Sequence, residues 1–235
     1  MSDPIHAVCF DLDDTLFPYA RYARAGLAAA ADRIEAETER RYHDELLDLY
    51  FRAGVTEGTF DELVDRHDLP AGVVDDAVEA FHSSTTPLEP YDETEAVLST
   101  LADEYRLGLI TDGRGGHAKL DRLGIDDRFE TVIVTPELDR SKADPRVFER
   151  AAADLSVLPW SAVYVGDDPR IDFRLPNAFG MTTVRLRRGR YVDLEPADEQ
   201  FAPDVEITSL DELPGIIASE EPKAEAATPE LGGEL

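Results

Sequence analysis

Asp11, Asp13 and Asp14 stand in Phe-Asp-Leu-Asp-Asp-Thr, directly after the apolar run Ile5–Phe10. Thr111, Asp112 and Gly113 end a second apolar run and lead into Arg114-Gly115-Gly116; Lys142 follows a third run by a loop; Gly166, Asp167, Asp168 and then Asp172 follow a fourth. A single acid at such a place is ordinarily solvated or caps a helix. Carboxylates, a hydroxyl and a lysine after four consecutive runs describe one converging site. Several carboxylates in one crevice repel each other and protonate unless a cation holds them. Oxygen ligands without His or Cys select a hard ion, with Mg²⁺ the natural choice. Lys142 adds a point charge, and Thr111 and the Gly113–Gly116 backbone offer hydrogen-bond donors, a set suited to a phosphoryl group. Asp11 and Asp13, two apart on an extended segment, face the same side. One can attack phosphorus while the other protonates the leaving oxygen.

The elements that must hold these residues can be read next. Ile5–Phe10, Leu107–Thr111, Thr131–Thr135, Ala162–Gly166 and Thr182–Leu186 are rich in β-branched residues without clean alternation, as strands buried on both faces of a parallel sheet are. Between the later strands lie helical segments: Gly116–Leu123 with Gly124 as its stop, and Pro145–Leu155 with Asp144 as N-cap. The expected fold is α/β, a doubly wound (Rossmann-like) parallel sheet. In such sheets ligands bind beyond the carboxyl ends of the strands, where the acids cluster. The gap between the first two strands is helical in pattern. Leu27, Ala31, Ile34, Thr38, Tyr42, Leu46 and Leu49 predict one long amphipathic helix. Thr59-Phe60-Asp61-Glu62 predicts a capping box opening a second, and Pro70 starts a third that runs to about His82. The organisation expected is a catalytic core of residues 1–17 and 88–218, an inserted helical domain of 18–87, and a disordered acidic tail of 219–235.

Composition narrows the setting. With 51 Asp plus Glu against 23 Lys plus Arg, the formal net charge is −28, which repels phosphate backbones and anionic lipid. No run of about 18 apolar residues and no signal-like N-terminus is present, and the lone Cys9 is expected to be a buried, inert thiol. A cytoplasmic protein binding neither nucleic acid nor membrane is expected. The cations are Arg except for Lys119, Lys142 and Lys223, and so acidic a surface predicts a cytoplasm at molar salt, where screening relieves self-repulsion. Arg185, Arg187, Arg188 and Arg190 form a basic cluster expected to pair with the chain's own carboxylates.

Together these motifs resemble those of the haloacid dehalogenase superfamily phosphohydrolases. Four match in order: DxDxT at Asp11–Thr15, the strand-ending Thr111, Lys142 before the proline-started helix, and GDxxxxD from Gly166 to Asp172. The resemblance spans about Ile5 to Arg188. Ala143 departs from the proline that commonly follows the lysine. It implies Asp11 as nucleophile, forming an aspartyl-phosphate, and Asp13 as general acid and base with its backbone carbonyl on Mg²⁺. Thr111 and the Asp112 amide would hold the phosphate, and Lys142 would neutralise Asp11 and a phosphate oxygen. Asp167 would ligate Mg²⁺ beside Asp11, with Asp168 and Asp172 in the same cluster or behind it. The helical insertion resembles the family's C1-type cap, which closes over the substrate.

The expected function is Mg²⁺-dependent hydrolysis of a small phosphorylated metabolite, a phosphomonoester. Haloacid dehalogenases proper do not keep the second aspartate of DxD, and phosphonate hydrolases of this type need a cap lysine, which is absent before Lys119. A sugar phosphomutase, which shares the core, is the alternative. A receiver-like phospho-accepting module has no DxDxT after its first strand, and a silent binding protein would not keep every catalytic position. Phosphoglycolate, sugar phosphates, nucleoside monophosphates and glyceraldehyde phosphate all suit the motifs, and nothing in the chain indicates an oligomeric state.

Overall fold

The computed structural model describes residues 4–70 and 72–219. In chain order the elements are β1 (Ala7–Phe10), α1 (Tyr19–Thr38), α2 (His43–Leu47), a π-helical turn (Asp48–Arg52), α3 (Thr59–His67), α4 (Gly72–Ser83), α5 (Thr94–Ala102), β2 (Arg106–Thr111), α6 (Gly116–Leu123), β3 (Thr131–Val134), α7 (Pro145–Asp154), β4 (Ala162–Gly166), α8 (Arg174–Ala178), β5 (Thr182–Leu186), β6 (Val205–Ile207) and α9 (Leu213–Ser219). They divide into two compact units, one drawn from Met1–Pro18 and Glu89–Leu235, the other spanning Tyr19–Leu88.

The first unit carries a six-stranded parallel sheet in the order β3-β2-β1-β4-β5-β6. Successive strands add on one side of β1 and then, from β4, on the other, so the switch in strand order falls between β1 and β4. That is where an open α/β sheet leaves a crevice. Phe10 is in register with Leu109 of β2 and Val165 of β4, so the next residues leave the sheet at one edge. All four residues of β1 are buried, and Cys9 lies in a core with Ile110, Ile133, Phe148, Leu155 and Met181. Burial pushes the Cys9 thiol up to about 12, so it is held as the inert neutral thiol.

Helix α7 starts as its residues dictate: Pro145 fills the first turn and the Asp144 side chain accepts from the Arg146 amide at 3.0 Å. Helix α6 ends at Gly124, whose φ of +68° suits glycine. The three-residue β6 and helices α5 and α9 complete the first unit without an element predicted for any of them. Of the acidic tail expected over 219–235, Ser219 is instead the last residue of α9, and 220–235 lie outside the described residues.

In the second unit α1 packs against α4, with Leu27, Ala30, Ile34, Val73, Ala77 and Phe81 buried. The single long helix predicted from Leu27 to Leu49 does not form. Glu39 takes a left-handed φ of +58° and the Thr38 hydroxyl donates back to the Ile34 carbonyl at 2.8 Å, which ends α1; α2 begins only at His43. Tyr42, Leu46 and Leu49 are still buried, so both segments keep the apolar period while the chain turns between them. The capping box at Thr59–Glu62 also fails. The Thr59 hydroxyl donates to the Val55 carbonyl at 2.6 Å, the cap is Gly58 at φ +72°, and Glu62 pairs with Arg66 at 2.7 Å.

Candidate active site

Two lysines divide three carboxylates at the sheet's carboxyl edge. Lys142, 2% exposed, donates to Asp11 Oδ1 and, at 2.7 Å, to Asp172 Oδ1. Lys119 of α6, also 2% exposed, donates to both oxygens of Asp13 at 2.7 Å. Asp11 is placed by β1, its amide donating to the Val165 carbonyl at 2.8 Å. The extended segment expected past Asp11 does not continue: the chain winds into a tight turn, with Leu16 N bonded to Leu12 O at 2.9 Å, so Asp13 and Asp14 belong to the turn and not to the strand. Asp14 sits at φ +63°, buried, and its carboxylate receives Arg190 Nε at 2.5 Å.

Asp167 and Asp172 come from the loop after β4. The Asp172 carboxylate accepts from the amides of Asp167 and Asp168 at 3.1 and 2.9 Å and from the Tyr164 hydroxyl at 3.3 Å. This places it directly beneath the strand end. Gly166 is needed there, because a Cβ would lie within 3 Å of the Asp172 side chain. Asp168 turns away, its carboxylate held by Arg170 through two side-chain bonds of 2.7 and 2.9 Å. Thr15 donates toward Asp11 Oδ2 and Asp167 Oδ1 at 3.4 and 3.3 Å.

One oxygen of each of Asp11, Asp167 and Asp172 lies within 4.8 Å of the other two. Burial is the leading reason that Asp11 rises from 3.8 to about 7, opposed by the Lys142 ammonium and reinforced by Asp172 and Asp13. Asp167 is pushed further, to about 10, by burial and then by Asp11 and Asp172. Asp167 Oδ2 is buried without a protein partner. Three buried carboxylates around one ammonium, with an orphaned oxygen among them, fit a hard cation bound through oxygen.

Thr111, at the end of β2, accepts from the Gly113 amide at 3.0 Å through its hydroxyl. The Asp112 carboxylate accepts from the Lys142 amide at 2.8 Å and from the Thr135 hydroxyl, which ties the β2 loop to the Lys142 loop. The structure thus gathers Asp11, Asp13, Thr111, Asp112, Lys142, Asp167, Asp168 and Asp172 at neighbouring strand ends. Thr15, Tyr164 and Lys119 were assigned no role from sequence. Thr15 was visible within DxDxT, and Lys119 could have been suspected because an arginine-rich chain has just three lysines. Tyr164, inside an apolar strand, carried no signal.

The arginine cluster pairs internally. Arg185 meets Glu206 at 3.1 Å, and Arg187 meets Glu195 and Glu206 at 2.8 and 3.0 Å. Arg188 donates to the Thr15 carbonyl and to Glu93 at 2.5 Å, with its guanidinium over the Tyr91 ring. The segment after β5 thereby clasps the Asp14–Thr15 turn.

The family of haloacid dehalogenase-like hydrolases matches residues 5–180. A glyceraldehyde 3-phosphate phosphatase of Methanopyrus kandleri is 38% identical over 91% of this chain and 97% of its own. A phosphoserine phosphatase of Thermus thermophilus is 32% identical over 57% of this chain and 54% of its own. Among solved structures, a HAD-hydrolase of Bacillus subtilis bound to magnesium superposes with a TM-score of 0.70 at 17% identity, covering 92% of this chain and 99% of that one.

Proposed function

The chain belongs to the haloacid dehalogenase-like hydrolases, and on that premise we propose that it hydrolyses a small phosphomonoester through an aspartyl-phosphate on Asp11. The observation that carries the reading is the separate holding of two carboxylates two residues apart, Asp11 by Lys142 and Asp13 by Lys119. Asp11 attacks phosphorus; a bond forms from its carboxylate oxygen to phosphorus and the ester P–O bond breaks. Asp13 gives its proton to the departing alkoxide. Asp13 then takes a proton from water, the water oxygen bonds to phosphorus, and the Asp11–phosphorus bond breaks to return Asp11 and inorganic phosphate. Lys142 keeps Asp11 in place and offsets charge on the phosphoryl oxygens, while Thr111 and the Asp112 amide hold them.

Mg²⁺ is the proposed cofactor. Asp11, Asp167 and the Asp13 backbone carbonyl would hold it, with Asp172 alongside; Asp168, expected in the same cluster or behind it, is held by Arg170 instead. When bound it supplies neutralising charge to the carboxylates and the phosphoryl group. The helical unit, read as a C1-type cap, is proposed to select the substrate. Glyceraldehyde 3-phosphate heads the substrates to try, since the Methanopyrus kandleri relative is named for it. The net charge of −28 supports a cytosol at molar salt as the working environment.

The test is phosphate release from p-nitrophenyl phosphate and glyceraldehyde 3-phosphate in molar KCl, with Mg²⁺ or a chelator, for wild type and Asp11→Asn. The expected result is Mg²⁺-dependent turnover that falls at least roughly a thousandfold in the variant. Equal turnover by a folded Asp11→Asn protein would remove Asp11 as the nucleophile.

A further inference from the structure

Lys119 lies outside the four motifs, yet it is as deeply buried as Lys142 and its ammonium meets the Asp13 carboxylate of the site. Burying an ammonium costs several kcal/mol unless a charge meets it, and an apolar side chain of similar volume would fill the same space without that cost. What the ammonium does here is visible in where Asp13 goes. Asp13 is two residues from Asp11, but its carboxylate is not in the cluster of Asp11, Asp167 and Asp172. It is drawn instead to Lys119, which grips both oxygens at 2.7 Å.

The neighbouring backbone is fitted to this pair. A Cβ at Gly113 would stand 2.5 Å from Asp13 Oδ2 and 2.8 Å from Lys119 Nζ, so glycine lets the loop carrying Thr111 run alongside them. Residue choice points the same way. The chain has 20 arginines and three lysines, and two of those lysines, Lys119 and Lys142, are buried on these carboxylates. A compact ammonium on a flexible stem can hold a carboxylate that has to reorient, where a rigid guanidinium fork would clamp it.

We propose that Lys119 is a positioning residue for the reaction: it keeps the Asp13 carboxylate apart from the cation cluster and in place to serve the leaving-group oxygen. The inference rests on the reading of Asp13 as general acid. Asp11 performs the attack in either case; Lys119 acts through Asp13 alone.

The experiment compares kcat/KM for p-nitrophenyl phosphate and phenyl phosphate, two esters of like shape, in molar KCl and Mg²⁺. The nitro group makes the first leaving group stable as an anion, so only the second depends strongly on a proton donor. The proteins are wild type, Asp13→Asn, Lys119→Met, Lys119→Gln and the double variant Asp13→Asn/Lys119→Met. Asp13→Asn is expected to lower kcat/KM for phenyl phosphate roughly a hundredfold more than for p-nitrophenyl phosphate. Lys119→Met should show the same bias at about tenfold or more, with Lys119→Gln, which keeps one donor for Asp13, between it and wild type. Adding Lys119→Met to Asp13→Asn should cost nothing further, as expected of two groups acting as a unit. If Lys119→Met folds poorly, the bias in Lys119→Gln decides. A biased Asp13→Asn beside lysine variants that lose both esters equally, or that add to Asp13→Asn, overturns the role of Lys119 alone. An unbiased Asp13→Asn overturns the acid reading of Asp13 and this inference with it.

Discussion

Replacing Asp11 by asparagine should stabilise the metal-free protein at neutral pH even as it abolishes turnover. Burial raises the Asp11 carboxyl from 3.8 to about 7, against the pull of the Lys142 ammonium and with help from Asp172 and Asp13. Between those values the folded chain keeps a proton that the unfolded chain has released. Stability therefore falls as pH rises through that window, and the loss is complete above it. Roughly three pK units at 1.36 kcal/mol each amount to about 4 kcal/mol. Asparagine does not ionise, so the variant lacks this contribution. Urea unfolding of wild type and Asp11→Asn, in molar KCl with a chelator and at steps from pH 4.5 to 8, measures the difference. The acid surface makes both proteins pH-sensitive, and subtraction removes that common part. The gap should be small at pH 4.5 and grow in favour of the variant by about 2–4 kcal/mol at pH 7.5. Mg²⁺ should narrow it by holding the carboxylate ionised. A gap that stays constant with pH, or that turns against the variant as pH rises, would refute the account of Asp11 as a carboxylate buried at a cost.

Gly166→Ala would put a methyl within 3 Å of Asp172, whose carboxylate is pinned by Lys142 and two amides, so a loss of about 1–3 kcal/mol in urea unfolding and a lower kcat are expected. Gly215→Ala meets nothing within 4 Å and serves as the neutral or slightly stabilising comparison. In the helical unit, Gly26→Ala would place its Cβ 2.6–2.8 Å from the Phe81 ring, forcing α1 and α4 apart, and circular dichroism should register an earlier melt. With a net charge of −28, the urea midpoint should climb as KCl rises from millimolar to molar; a midpoint independent of salt would count against a surface adapted to screening.

Local chemistry made much of this protein legible from its residues. Short β-branched runs are strands wherever they sit, Gly124 stops a helix because it tolerates positive φ, and the Asp144-Pro145 step starts one. Acids after four such runs announced a site, since a parallel sheet brings its carboxyl ends to one edge. Periodicity failed where a single backbone angle decided the outcome: Glu39 at φ +58° breaks a pattern whose apolar spacing continues undisturbed into α2. Thr59 likewise had two possible partners, and the Val55 carbonyl took its hydroxyl.

Which lysine holds which carboxylate could come only from the fold. Asp11 and Lys142 are 131 residues apart, and Asp13 and Lys119 are 106 apart. No local preference couples positions so distant; strand order and register place them side by side. The turning of Asp168 onto Arg170, the orphaned oxygen of Asp167 and the clasp of Arg188 on the Asp14–Thr15 turn have the same origin. Residue type and spacing determined which chemistry was available to this chain. The burial and pairing of each charge, which set how it behaves, were decided by packing in three dimensions.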